Sequence, residues 1–488
     1  MSRTGSRKTN GCLEHNATLA QQVLFFSTKR GKIGRSKIVL ILIGDHFTEG
    51  WSQQKVESAE SGVVTVSGFG FVPNEGFFSA GTAGAPGAPM LQVSVMREAA
   101  RKFLATHNDL PVGREDARKA QEAIDIANTW VEAHTQFPAT VTNSDVAWSR
   151  KDWIDQSVVG WQKLVEPLAE GMIEALGKVL KEMGPQFDEQ SLNFQSEEFA
   201  ALTGNTQIPN FGVDGFLPVM RGFMGQLIAT QLGQSIGTLA IGLNGSQDAA
   251  IPLFEKSGAH LIPQNIAAWG EGLEIPEQEI AIYIALREVA AQRLFTHTPW
   301  LSEYIRELIQ SYGKGITVDI NSIQRQAESA MDSGELDINN PESISMAINQ
   351  GMFQPEQSAT QSAALAKLET TFALIEGWID HVASLAATDR LPSLSSLQES
   401  YRRSRVESAP TQQLFAMLLG LQISPRTIRE CSQFWSEIYS LSGAENGGVS
   451  IRDHRWEDSA LLPTAIDLAD PAGFLSSTTV PDDLSGLI

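Results

Sequence analysis

"IPEQEIAIYIALREVAAQRLFTHT", residues 275–298, is the stretch on which the reading of this chain turns. Ile280, Ile284, Arg287, Ala291 and Leu294 recur at steps of four, three, four and three, the spacing of one helical face. Pro276 suits the first turn of a helix, Glu277 and Glu279 suit the positive end of its dipole, and Pro299 predicts its stop. Every member of the stripe except Arg287 is apolar, so the stripe aims a guanidinium at the interior. An isolated buried charge is too costly to keep, so Arg287 requires a carboxylate. Glu288 is next in sequence, but adjacent helical residues diverge by about 100°. "LIEGWIDH", residues 374–381, supplies a better partner. There Glu376 lies among Phe372, Ile375 and Ile379 on a second helix, and a half-buried glutamate also needs a partner. The spacing predicts an ion pair between Arg287 and Glu376.

Outward from this helix the chain reads as mainly α, multi-helical, with few or no strands. "LQVSVMREAARKFLATH" from Leu91 is amphipathic, and in residues 112–136 Ala120, Ala123, Ile124, Ala127 and Trp130 share a face. Residues 143–184 read as two helices interrupted near Pro167, and 215–243 as a Gly-rich helix pair in which Gly233 and Gly237 permit close approach. Further helices are predicted over 362–388, from "APTQQLFAMLLGL" and from "SPRTIRECSQFWSEIYSLSG". Stretches 185–199 and 331–360 read as polar and loop-like. The chain after Pro471 reads as weakly ordered. The predicted organisation is an irregular, basic N-terminal extension with a Gly/Pro linker over 1–90, a helical subdomain over 91–245, a second helical domain over 246–475 and a flexible tail over 476–488.

Composition narrows the function classes. The net charge of −21 argues against nucleic acid as a partner, because phosphate binding needs basic patches. Eight Lys/Arg against the single Glu14 make residues 1–40 the basic exception. There "KIVLILIG", residues 37–44, is too short and too poorly flanked for a signal peptide. It reads as a short strand, or, preferably, as a disordered extension or a start codon placed too far upstream. Cys12 and Cys431 stand far apart, which excludes a disulfide framework and fits a reducing, cytoplasmic setting. The most apolar stretch, 215–243, holds Arg221 and three glutamines, so no membrane span is expected.

The frame Arg287-Glu288-Val289-Ala290-Ala291 is that of H-E-x-x-H, in which two histidines one turn apart hold zinc and the glutamate acts on water. Here Arg287 and Ala291 occupy both histidine positions. "IALREVAAQRLFTHTPWLSEYIRELIQSYGKGITVD", "LIEGWIDHV", "LFAMLLGLQISPRTIRECSQFW" and "LLPTAIDLADPAGF" together resemble a bacterial family of zincin-like, zinc-dependent metalloproteases and hydrolases. The resemblance runs from about Leu91 to Phe474. One branch of that family is associated with deazaflavin-cofactor biosynthesis genes. That branch has an intact histidine pair, a "PWL" element and a later "EG" helix whose glutamate looks like the third ligand. A sister branch, closer to this chain, has arginine first and usually histidine second. The resemblance implies a zincin-like fold, a remnant general base at Glu288 and a remnant third metal ligand at Glu376.

Zinc catalysis needs about three protein ligands and an open water site. The positions here leave one carboxylate. His297, six residues past Ala291, reads as a cap or loop hydrogen bond at the helix end. His381, five residues past Glu376, reads as a partly exposed helical histidine. Ala291, His297, Trp300, Trp378 and His381 are the candidate cleft-lining residues. "GFGF" (68–71) and "GKG" (313–315) lack the context of phosphate loops, and no GxSxG elbow is present. Arg402, Arg403 and Arg405 in "YRRSRVESAP" read as a solvated helix end, or else as a site for an acidic partner. The expected function is a non-catalytic binding or scaffold protein with no cofactor and an unidentified protein or peptide partner. The alternative is an active metal-dependent hydrolase or peptidase with non-standard ligands such as His297 and His381, in which zinc is bound and Glu288 is the general base.

Overall fold

The computed structural model describes residues 25–30, 36–41, 88–140, 145–183, 213–316, 357–407, 410–419, 421, 424–443 and 445–478. The chain is mainly α. Its helices are α1 (Val93–Leu104), α2 (Arg114–Val131), α3 (Arg150–Met183), α4 (Val213–Gly242), α5 (Pro263–Gly270), α6 (Glu277–His297) and α7 (Trp300–Lys314). They continue with α8 (Ala359–Ala387), α9 (Leu394–Glu407), α10 (Pro410–Leu419), α11 (Pro425–Leu441), α12 (Glu445–His454) and α13 (Pro471–Thr478). Among the described residues the only strands are β1 (Phe25–Arg30) and β2 (Ser36–Ile41). They pair antiparallel with Phe25 opposite Ile41. The apolar run at 37–44 thus begins as a strand, the least favoured of its three readings. Its β-branched Ile38 and Val39 suit a pleated backbone.

α6 is the central helix. It packs against α2, α5 and α8, and α8 in turn packs against α7 and α11. Ile282 through Phe295 are all buried, so burial extends far beyond the predicted stripe. A helix enclosed on every side reads as weakly amphipathic, which is why one stripe was legible and the full enclosure was not. A second layer is formed by α4 against α1 and α3. One contiguous set of buried apolar side chains runs from Met90 to Phe474 and crosses residue 245 without a break.

Three expectations are corrected. α3 runs unbroken through Pro167, with Leu164, Val165, Leu168, Ala169 and Met172 buried along it. That continuous apolar face outweighs the lost hydrogen bond of an interior proline, about 3 kcal/mol. Residues 213–242 form one helix, not a pair. The stretch after Pro471 continues as α13, whose Phe474 is buried against Phe434 at 5.5 Å between ring centroids. Stretches 68–71, 185–199, 331–356 and 479–488 lie outside the described residues.

Gly233 is where α4 meets α1. A Cβ there would stand 2.4 Å from the Met96 carbonyl oxygen and 2.7 Å from Ala99 Cβ. Gly222, on the same helix, has nothing within 4 Å of such a Cβ. We expect Gly233→Ala to destabilise the protein by about 1–3 kcal/mol through overpacking. Gly222→Ala should be neutral or stabilising by up to about 1 kcal/mol through helix propensity. Urea titration of both variants checks the contrast, and equal effects would refute the close packing at Gly233.

Candidate functional site around Arg287

Arg287 is 5% exposed on α6. Its Nη2 donates to Glu376 Oε1, and its Nη1 donates to Asp380 Oδ1 at 3.2 Å. Glu376 and Asp380 stand one turn apart on α8, so one guanidinium spans both carboxylates. α8 reaches this position because Gly377 lies against α11. A Cβ at Gly377 would sit 2.8 Å from both Cys431 Cβ and the Ser432 amide. The same crossing lets Ser432 Oγ donate to Asp380 Oδ2 at 3.1 Å. Arg402 Nη2, from α9, donates to that oxygen at 3.1 Å as well.

A second clasp lies beside the first. Arg405 pairs with Asp248, and Tyr401 donates its hydroxyl to Asp248 Oδ1 at 2.7 Å. Two guanidinium groups lie over the Tyr401 ring, Arg287 at 4.0 Å and Arg405 at 4.8 Å from its centroid. Sequence reasoning missed Asp380, Asp248 and Tyr401. Asp380 was visible in principle, four residues after Glu376 in "EGWID". Asp248 lies in an irregular segment and carries no local signal. The solvated reading of residues 401–410 holds for Arg403, which is exposed and pairs with Glu399 within α9. It fails for Arg405, whose Asp248 partner draws it inward.

Glu288 faces away from this clasp, toward the segment 244–261. Its carboxyl accepts from Ser246 Oγ, from the Gln247 amide at 2.9 Å and from the His260 amide at 3.1 Å. Ser246 Oγ, whose one proton serves a single acceptor at a time, also lies 2.9 Å from the Gly258 carbonyl, and the His260 ring stacks on Trp148 at 3.7 Å. Burial pushes the Glu288 carboxyl up to about 8, while the three donors work in the opposite direction. In this arrangement Glu288 pins a buried loop to α6.

Of the remaining predicted residues, Ala291, Trp378 and His381 lie in the core, while His297 and Trp300 are half-buried. Ala291 is 2% exposed. His297 Nδ1 lies 2.8 Å from the Arg293 carbonyl, and its ring stacks on Phe137 at 5.4 Å. Trp300 donates Nε1 to the Trp456 carbonyl at 3.0 Å. Trp378 is fully buried and donates to Asp453 Oδ1 at 3.1 Å. His381 is buried, not partly exposed as its helix position suggested, because Tyr439 covers it at 5.6 Å. Burial, with Arg452 and His134 nearby, lowers it to about 3, so it stays neutral. Ala291, Trp378 and His381 therefore fill the interior; they do not line an open cleft. Arg293, which the sequence did not single out, is fully buried and pairs with Glu132 at 2.8 Å.

The donor set does not suit a zinc ion. A cation and a methyl group occupy the two histidine positions, and Glu376 is committed to Arg287. No group of three or more His, Cys, Asp or Glu side chains converges as a metal site among the described residues.

The Glu288 contacts generate a pH prediction. A carboxyl raised on folding stabilises fully below its unfolded value, near 4.5, and loses that contribution as pH rises through about 8. Gln at this position keeps an acceptor for Ser246, Gln247 and His260. The stability of the native protein, minus that of Glu288→Gln, should therefore fall between pH 4.5 and 8. Urea midpoints across that range read the difference, and a flat or rising difference would refute the effect of burial. Glu288→Ala should cost about 1–3 kcal/mol, since it strands two buried amides and a hydroxyl.

Comparison with known proteins supplies the family. A model of the zincin-like metallopeptidase family matches residues 92–475. No curated protein matches the chain. Among solved structures, a proposed hydrolase of novel fold from Chloroflexus aurantiacus is similar at 16% identity and a TM-score of 0.49. That match covers 79% of this chain and 98% of the other. A likeness at that level carries no functional argument. The family match spans most of the chain and includes both motif helices, so this protein belongs to the zincin-like metallopeptidase family.

Proposed function

We propose that this family member is non-catalytic, a cytoplasmic protein that binds or scaffolds a protein or peptide partner. The observation that carries this reading is the Arg287 guanidinium, held by Glu376 and Asp380. The cation stands at the first histidine position and neutralises the carboxylate that the family's zinc would need. A metallopeptidase polarises water with a metal and deprotonates it with a glutamate that water can reach. Glu288 is 2% exposed and occupied by three donors of its own chain. The reading also explains how a motif helix keeps inward carboxylates without metal: the guanidinium supplies the positive charge. Asp380 broadens that role, because one arginine bridges two acids and fixes α6 against α8.

Metal content tests the proposal. The purified full-length chain, loaded with excess zinc and desalted, should retain far less than one equivalent by atomic emission. Glu376→Gln should leave that value unchanged. Retention of one zinc per chain, lost in Glu376→Gln, would overturn the non-catalytic reading and favour an active hydrolase with non-standard ligands.

A further inference from the structure

A second buried guanidinium, Arg452 of α12, meets α8 on a different face. Trp378 and His381 stand three residues apart there, turned from Glu376 and Asp380. Arg452 is fully buried, with its Cζ 5.4 Å from the centroid of the Trp378 ring. Its Nε donates to Asp453 Oδ1 at 2.7 Å, and its Nη2 donates to the His134 carbonyl at 2.6 Å. Its Nη1 is buried and has no hydrogen-bond partner. His381, within electrostatic reach of Arg452, is in the same position: Tyr439 covers its ring, and its buried Nε2 has no partner. Buried polar atoms are nearly always hydrogen-bonded, so two unpartnered ones on neighbouring side chains mark a missing acceptor.

The surroundings of these two atoms are basic. His134 sits on the turn Glu132–His134, which packs against α8, and it is half-buried within reach of His381. Arg390, just past α8, lies within reach of His134, with its guanidinium over the Trp130 ring at 5.6 Å from the centroid. It pairs with no carboxylate among the described residues. The acid in contact with Arg452 is Asp453, and both its oxygens are taken. Oδ1 accepts from Arg452 Nε and Trp378, and Oδ2 accepts from Thr135 Oγ1 and the Gln136 amide. Two guanidinium groups against one carboxylate leave one positive charge. Burial, and then the nearby arginines, hold both histidines below their ordinary range, so they add no charge of their own. A neutral imidazole still carries one ring N–H to donate.

We infer that Arg452 Nη1 and His381 Nε2 together bind a small monoanion of the chloride class, with Arg390 supplying the balancing charge and His134 the outer wall. A single negative charge matches the single positive charge left over. Both donor atoms are shielded from solvent, so a phosphoester or a peptide carboxylate is too bulky to reach them. Bound there, the ion would tie α12 to α8 and to the Glu132–His134 turn. The inference does not depend on the non-catalytic reading, because none of these side chains pairs with Arg287 or Glu288.

The test is urea unfolding of the full-length chain near neutral pH, in sodium chloride, bromide or fluoride at one fixed ionic strength. Screening is then equal in all three salts. Chloride and bromide should raise the midpoint along a saturating curve, and fluoride should do little, since its tight hydration shell is costly to strip at a buried site. His381→Phe keeps a flat ring against Tyr439 and removes Nε2, so the apparent chloride affinity should fall about tenfold or more. Arg390→Gln, at an exposed position, should weaken it about two- to fivefold. Arg403→Gln makes the same charge change on α9, where Arg403 pairs with Glu399, and should leave the response intact. Crystals soaked in bromide should show an anomalous scatterer touching Arg452 Nη1 and His381 Nε2. Equal midpoints in the three salts would overturn the inference, because the two donors would then face water alone. A full chloride response in His381→Phe, an equal loss in Arg403→Gln and Arg390→Gln, or bromide absent from that position would overturn it as well. If His381→Phe does not fold, Arg390→Gln and the bromide crystals decide.

Discussion

A guanidinium with 5% of its residue exposed, in the middle of α6, must be neutralised where it stands, because an unpaired buried charge is too costly to keep. Much of the arrangement around it follows from that requirement. Glu376 and Asp380 must lie one turn apart on a facing helix. α8 must therefore pass close to α6 and present that face. Gly377 permits α8 to sit against α11, and Ser432 then adds a hydrogen bond to Asp380. Asp380 has an oxygen to spare, and Arg402 takes it. The centre of the molecule is an ionic clasp assembled around one cation.

The same device recurs in this core. Arg293 is fully buried and pairs with Glu132, whose own side chain is exposed. Arg452 and Asp453 are both buried, and Asp453 also accepts from Thr135, the Gln136 amide and Trp378. Such pairs contribute little net stability over well-packed apolar groups, but losing one partner leaves a charge stranded. A family built on zinc gains its inward charge from a metal. Here Arg287, paired with Glu376 and Asp380, supplies a positive charge between α6 and α8.

Some of this was legible in the sequence. The four-three-four-three stripe placed Arg287 inside, and the cost of burying it called for a carboxylate on another helix. The apolar neighbours of Glu376 made it the candidate, and the structure pairs the two directly. Helix boundaries also followed from local signals, with α6 ending beside Pro299 as expected. The failures share a cause. Asp248 meets Arg405 across 157 residues, and nothing near either residue marks the other. Glu288 carries a local motif signal, but its partners Ser246, Gln247 and His260 come from a distant loop that the motif does not announce. His381 read as half-exposed because its cover, Tyr439, lies on another helix. Periodicity reports which face of a helix is covered; it does not report what covers it.

The central claim is that Arg287 and Glu376 stabilise one another as a buried pair in place of a metal. A double-mutant cycle on folding stability measures that directly. Arg287→Met should destabilise by about 3–5 kcal/mol because it strands the Glu376 charge, and Glu376→Leu by less, because Arg287 keeps Asp380 as a partner. The double variant should recover much of the sum, giving a coupling of at least about 1 kcal/mol, while Asp380 keeps Arg402 as its partner. Additive losses would contradict the account, for they would mean that the two charges do not depend on one another in the folded protein.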